Sequence, residues 1–310
     1  MKQVAIMAVG VPGSGKSTKI LDFVKMYDAK VFASDAIRAE LYGDESIQGD
    51  PKEVFRVLEE RLFEALAAGE NVIYDATNIK WKNRKAFVDK VRKTCDAYCY
   101  LAIMATAPDT CKSRNAGRER RVPEGVINRM IKNFEVPVPA EGWDGINIYR
   151  SGFDAVEYFI RKCNMNQQNS HHHFTIYEHC LKAFDYCITH SDNSDPVLNT
   201  AALFHDIGKP IAKTFIKKDG TLDSEAHYYR HDNVGGYLSL CHDYETNEKN
   251  QLEIAQLIQY HMMPTSHPSS TPESRKRNGC IVLWLTNAAS LPNLSQSLSF
   301  CTRQTWSHIE

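Results

Sequence analysis

Gly10, Pro12, Gly13, Ser14, Gly15, Lys16, Ser17 and Thr18 follow an apolar run at residues 4–9 and carry the spacing G-x-x-x-x-G-K-S. Glycines in such a loop let main-chain N–H groups converge on phosphate oxygens, and the start of a helix adds partial positive charge. Lys16 would reach the β- and γ-phosphates, and the Ser17 hydroxyl would hold Mg²⁺. A glycine turn beside a surface lysine is the plainer alternative. The strand pattern before the loop and the helical pattern after it favour the cradle, and with it a bound nucleoside triphosphate.

Three further groups could act beside that cradle. Asp35 and Arg38 lie three apart at a helix start, hence on one face. There a carboxylate could accept the proton of an attacking hydroxyl while the arginine grips a phosphate; an N-cap aspartate beside a solvated arginine is the alternative. Asp75 ends a strand before Thr-Asn, where it could order the metal's water, orient acceptor-site groups, or form only an Asx turn. The run Arg114-Asn115-Ala116-Gly117-Arg118-Glu119-Arg120-Arg121 sits where a lid would lie over the phosphates. Arg118 is the first choice to neutralise a transferring phosphoryl group; a solvated charged face is the alternative.

The second half holds a different set. His179, His205, Asp206, His231 and His261 recur on successive helical segments. Neutral imidazoles and a carboxylate suit a divalent transition metal, and Asp206 could bridge two ions. A lone helical histidine is more often a satisfied core residue, but the set and the adjacent His205-Asp206 favour a metal. Lys209 is placed to meet a phosphate, or else is a solvated lysine.

The elements that must position these residues follow from periodicity. Apolar strands alternate with helical stripes through residue 104, predicting an α/β domain with a parallel sheet covered by helices. From residue 175 the pattern is helical, with no clear strands. The expected organisation is a domain over 1–163, a polar uncharged linker at 164–170, an all-α domain over 171–290 and an unassigned tail over 291–310. The 310 residues carry a net charge of −1, so a nucleic-acid partner must be met by a local patch. Nine cysteines without zinc-ribbon spacing suit a reducing cytoplasm, and nothing reads as a signal peptide or membrane helix.

The combination GVPGSGKS, Ser-Asp-x-x-Arg at 34–38, Asp-Ala-Thr-Asn at 75–78 and Arg-Asn-x-x-Arg at 114–118 before Val-Pro resembles the 5′-hydroxyl polynucleotide kinases of bacteriophages and bacteria. The resemblance implies ATP as donor, Asp35 as general base, Arg38 on the acceptor's 3′-phosphate and Arg118 as lid arginine. Residues 171–264 resemble the HD-domain metal-dependent phosphohydrolases, in the branch attached to tRNA-processing nucleotidyltransferases. That implies His179, His205 and Asp206 as metal ligands, with His231 and His261 on a second ion or on phosphate. Beyond Pro264 the match fails, and Asn287 stands where the family has a late aspartate. A related end-healing family carries the two modules in the opposite order.

Three functions are therefore expected in turn. The first is a nucleic-acid end-healing enzyme, with RNA the favoured partner, that phosphorylates 5′-hydroxyl ends and hydrolyses 2′,3′-cyclic or terminal phosphates. The second is a small-molecule or nucleoside kinase fused to a nucleotidase-like domain. The third is a nucleotide-binding switch with a degenerate second half.

Overall fold

Runs that are apolar at nearly every position need cover on both faces, and β1 (Gln3–Val9) and β4 (Ala97–Thr106) are such runs. With β3 (Asn71–Asp75), β2 (Ala29–Ala33) and β5 (Gly145–Ser151) they form one sheet in the order β2-β3-β1-β4-β5. All neighbouring pairs are parallel. The computed structural model describes residues 2–170, 173–190 and 195–262. The expected residue 287 and the stretch 265–310 lie outside the described residues.

The connections are helical: α1 (Lys16–Tyr27), α2 (Ser34–Tyr42), α3 (Pro51–Ala67), α4 (Trp81–Thr94), α5 (Pro108–Ala116) and α6 (Glu124–Lys132). In α3 the Asp50 side chain accepts from the Lys52 N–H and Pro51 takes the first turn, where its missing donor is harmless. Val54, Leu58, Leu62 and Leu66 then fall on one buried stripe, each contributing about 1.5–3 kcal/mol by leaving water. The fifth strand is one more than the sequence pattern predicts. It is an edge strand with a single buried residue, Ile148, so it lacks the apolar run that marks the others.

The second half contains α7 (Ala155–Lys162), α8 (Ile176–His190), α9 (Pro196–Phe204), α10 (Lys209–Ala212), α11 (His231–Cys241) and α12 (Glu248–Tyr260). It also contains an antiparallel hairpin, β6 (Thr214–Ile216) and β7 (Leu222–His227), which corrects the reading of this half as free of strands. The hairpin strands are short and mostly polar, so no alternation of apolar residues announces them. Among the described residues no helix is long and apolar enough to cross a membrane.

The two halves share a core. One cluster of buried apolar residues runs from Val9, Ile127 and Phe134 to Tyr237, Leu238 and Ile258. Polar contacts cross the same boundary: the Val136 N–H donates to Gln259 Oε1 at 2.7 Å, and Gln259 Nε2 donates to the Phe134 carbonyl at 2.8 Å. Asn233 Nδ2 donates to the Lys132 carbonyl at 3.0 Å. A Cβ on Gly236 would sit 3.0 Å from Val136 Cγ2, so glycine permits the close approach of α11.

Residues 164–170, expected as a linker, are packed down rather than tethered loosely. Asn166 bridges to Thr175, the Ala226 N–H donates to the Gln168 carbonyl at 2.8 Å, and Gln167 is wholly buried.

Candidate active sites

The first site forms at the carboxyl ends of β1, β2 and β3, where a parallel sheet presents its loops. Gly13 and Gly15 have φ of 81° and 94°, a region that favours glycine. A Cβ on Gly13 would fall 2.2 Å from the Cys111 carbonyl oxygen, so the loop is seated against α5. The Thr106 hydroxyl donates to the Ser14 carbonyl at 3.0 Å. Thr77 and Asn78 hold the loop's entry: the Gly10 N–H donates to the Thr77 carbonyl at 3.1 Å, and Asn78 Nδ2 donates to the Ala8 carbonyl at 2.9 Å. Ser17 and Thr18 are exposed in the first turn of α1.

Lys16 folds back so that its ammonium donates to the Gly10 carbonyl at 2.7 Å. Burial lowers its pKa, opposed by the charges of Asp75 and Asp35. Burial raises that of Asp75, opposed by Lys16. Ser14 Oγ is buried with no hydrogen-bond partner. A glycine-lined loop, a recessed ammonium and an unsatisfied hydroxyl fit a bound triphosphate, which would supply oxygens to all three.

Asp35 opens α2 and carries two guanidinium groups. Arg38 Nη1 donates to Oδ1 at 2.6 Å, and Arg120 Nη1 lies 3.0 Å from Oδ2. Arg120 also lies 3.5 Å from Glu45. The arginine expected to matter most, Arg118, is exposed, and its charge acts on Lys16 and Asp75. Sequence reasoning placed Arg120 on the lid without pairing it to Asp35, because a contact across the site leaves no trace in spacing. Asn115 fixes the lid's base, donating to the Val122 carbonyl at 2.8 Å and accepting from the Val122 N–H at 3.0 Å.

The second site gathers all five residues of the histidine–aspartate set. His179 stands on α8, His205 and Asp206 in the turn after α9, His231 at the start of α11, and His261 at the end of α12. Their donor atoms form two triads sharing Asp206: His179, His205 and Asp206, and Asp206, His231 and His261. Nε2 of His179 and of His205 lies 3.3 and 3.4 Å from Asp206 Oδ2, and Nε2 of His231 lies 3.2 Å from Oδ1.

The outer ring nitrogens fix the tautomers. Nδ1 of His205, His231 and His261 donates to the carbonyls of Ala202, Tyr228 and Ile258 at 2.8, 2.8 and 2.7 Å. A carbonyl can only accept, so the proton sits on Nδ1, and the Nε2 lone pair of each neutral ring faces the centre. Nε2 of His231 and Nε2 of His261 are 3.4 Å apart. Lone pairs and a carboxylate converging in this way fit a divalent transition metal. Burial pushes His261 down to about 3, with His205 and His231 adding to it and Asp206 opposing. Burial also opposes ionisation of Asp206, yet the Lys209 ammonium holds it well below the usual carboxylate range.

Lys209 is expected to face a phosphate; its ammonium lies 2.7 Å from Asp206 Oδ2 and donates to Gln167 Oε1 at 2.7 Å. Nothing in the sequence marks Gln167, which lies in a polar connecting stretch.

Comparison with known proteins agrees with this division. Residues 6–137 match an AAA domain, and residues 176–285 match an HD domain. The chain is a P-loop kinase-like domain joined to an HD domain. An L-seryl-tRNA(Sec) kinase of Methanococcus maripaludis is 28% identical over 160 residues, 49% of this chain and 61% of that protein. An A-adding tRNA nucleotidyltransferase of Deinococcus radiodurans is 33% identical over 72 residues, 23% of this chain and 16% of that protein. The chain thus spans less than two thirds of either relative. Among solved structures, a gluconokinase of Sinorhizobium meliloti is 17% identical with a TM-score of 0.34, covering 47% of this chain and 81% of its own. A sugar kinase of a Janibacter species is 19% identical with the same score, covering 47% and 84%.

Proposed function

We propose that the protein heals nucleic-acid ends, moving the γ-phosphate of ATP onto a 5′-hydroxyl and removing a phosphate from a 3′ end. The observation that carries the first activity is Asp35 held between Arg38 and Arg120 at the mouth of the phosphate loop. An acceptor with a phosphate near its hydroxyl would draw both guanidiniums onto that phosphate and release the carboxylate. Asp35 then takes the hydroxyl proton as the acceptor oxygen bonds to the γ-phosphorus. The bond from that phosphorus to the bridging oxygen breaks, and ADP leaves. Lys16 and Arg118 balance the charge that builds on the transferring group. Acceptors without a phosphate leave the arginines on Asp35, which favours a polynucleotide over a simple sugar. Both relatives are tRNA enzymes by name, which supports RNA as the polymer.

In the second site His179, His205, Asp206, His231 and His261 would hold one or two divalent ions. Such ions supply an acidified water and a Lewis acid for phosphoester hydrolysis. The chain's own part is to fix the imidazole tautomers through Ala202, Tyr228 and Ile258, and to present Lys209 to a phosphate oxygen.

The test is an RNA bearing a 5′-hydroxyl and a 2′,3′-cyclic phosphate, incubated with labelled ATP, Mg²⁺ and Mn²⁺. Label on the 5′ end and loss of the cyclic phosphate are expected. Phosphorylation of a nucleoside or sugar with none of the oligonucleotide would overturn the reading.

A further inference from the structure

We infer that Gln167 is a positioning residue for the second site, holding the Lys209 ammonium where it meets a phosphate oxygen; this rests on the hydrolase reading above. Gln167 lies in the stretch between the two matched domains, yet it is wholly buried and both its amide nitrogen and its amide oxygen are hydrogen-bonded. Its Nε2 donates to the Phe174 carbonyl at 3.1 Å, so its amide is oriented with Oε1 toward Lys209. Oε1 accepts from Lys209 Nζ at 2.7 Å. Its main-chain carbonyl accepts from the Tyr228 hydroxyl at 2.6 Å. The Tyr228 ring lies under the same ammonium, 5.5 Å from Nζ to the ring centroid. The carbonyl of Tyr228 accepts from His231 Nδ1. Residue 167 is therefore tied to both ends of the histidine–aspartate set.

The chemistry follows from sharing one carboxylate. Lys209 Nζ lies 2.7 Å from Asp206 Oδ2, the same oxygen that His179 and His205 face. A divalent ion held by those side chains would compete for that oxygen and weaken its hold on the ammonium. An ammonium has three N–H donors and no acceptor. With one donor kept by Gln167 Oε1 and the ring of Tyr228 beneath it, Lys209 cannot swing away to water. The ammonium is thereby kept beside the histidine–aspartate set, where a phosphate oxygen next to the ion would meet it. Without Gln167 Oε1 the ammonium would lose an oriented acceptor, and its place against a phosphate oxygen would be less well fixed.

The test uses the full chain loaded with Mn²⁺ and inorganic phosphate as the probe, with binding followed by calorimetry and metal content by elemental analysis. Gln167→Met keeps the volume and removes Oε1. It should retain wild-type metal content and bind phosphate about 10–100-fold more weakly, the loss that matches one hydrogen bond to a charged group. Lys209→Ala should show a similar or larger loss. The double variant should be no weaker than Lys209→Ala, since Gln167 acts only through the lysine. Additive losses, or unchanged phosphate binding in Gln167→Met, would overturn the inference. If Gln167→Met does not fold, Tyr228→Phe frees the same main-chain carbonyl while keeping the ring, and should weaken phosphate binding in the same direction; no change would also refute it. Wild-type protein that takes up no Mn²⁺ would instead remove the hydrolase reading, and this role with it.

Discussion

Asp35 and Asp206 are both carboxylates surrounded by basic side chains, but one side chain is 50% exposed and the other 2%. Around Asp35 the partners come from one helix and a lid, reach it through long side chains, and can be exchanged for a substrate's phosphate. Around Asp206 four imidazoles and an ammonium come from α8, α10, α11, α12 and the turn after α9, and the outer nitrogens of three rings are bonded to carbonyls. The first arrangement suits a group that must change partners in each turnover. The second suits one that must hold a fixed array of donors, because ligand geometry tolerates little motion.

The sharpest way to break this contrast is Asp206→Ala. It leaves the Lys209 charge buried without its carboxylate, and removing one member of a buried pair costs about 3–5 kcal/mol. Metal uptake and phosphoester hydrolysis should vanish together, and thermal unfolding should shift markedly downward. Phosphoryl transfer should survive at temperatures where the variant remains folded. Metal content equal to wild type would refute the role given to Asp206.

Asp35→Ala should have the opposite profile. Loss of a general base lowers turnover by about 10²–10⁴-fold, whereas the exposed position of Asp35 predicts little change in unfolding temperature. ATP binding should persist, since Lys16 and the glycine loop are untouched. Equal transfer rates in variant and wild type would show that another group takes the proton.

The same contrast governs what was legible in the sequence. The phosphate loop was readable because its glycines, lysine and serine are contiguous, and the sheet because β1 and β4 are apolar throughout. The histidine–aspartate set was readable from residue type, although the convergence of His179 with His261 is a property of the fold. Contacts made across the sites were not readable. Arg120 reaches Asp35 over 85 positions and Gln167 reaches Lys209 over 42, and neither separation has a periodicity. The hairpin of β6 and β7 was hidden by its polarity, and the shared core by the fact that helix α11 reads alike whether its buried face meets its own domain or the neighbouring one.

Acid should expose the buried site before the open one. His261 is pushed down to about 3 from an ordinary value of 6.5, so below 6.5 the unfolded chain binds a proton that the folded chain refuses. The metal-free protein should therefore lose about 1.4 kcal/mol of stability per pH unit as pH falls from about 6.5 toward 3. Asp206 works at lower pH still: its carboxyl is depressed, so its contribution is present above the ordinary carboxylate range and lost as pH drops through the folded value. His261→Gln should flatten the slope between pH 6.5 and 5, measured by denaturant titration. An unchanged slope would mean that the ring is already charged in the folded protein.

The smallest effect should come from the contact that joins the two sites. The Tyr237 hydroxyl, on the helix that begins at His231, donates to the Thr106 carbonyl at 2.7 Å, and the Thr106 hydroxyl donates to Ser14 in the phosphate loop. Tyr237→Phe removes the bond to the Thr106 carbonyl and a longer contact with Cys111 Sγ at 3.9 Å, but keeps the ring against Phe134. Cys111 Sγ, 3.4 Å from the same carbonyl, leaves the Thr106 oxygen with a weak donor, so the loss should be about 1 kcal/mol rather than the full penalty of an orphaned group. If the two halves merely pack together, ATP affinity should be unchanged in this variant and metal content equal to wild type. A loss of ATP affinity without a matching loss of stability would instead mean that α11 helps set the shape of the phosphate loop. The open site would then owe part of its order to the closed one.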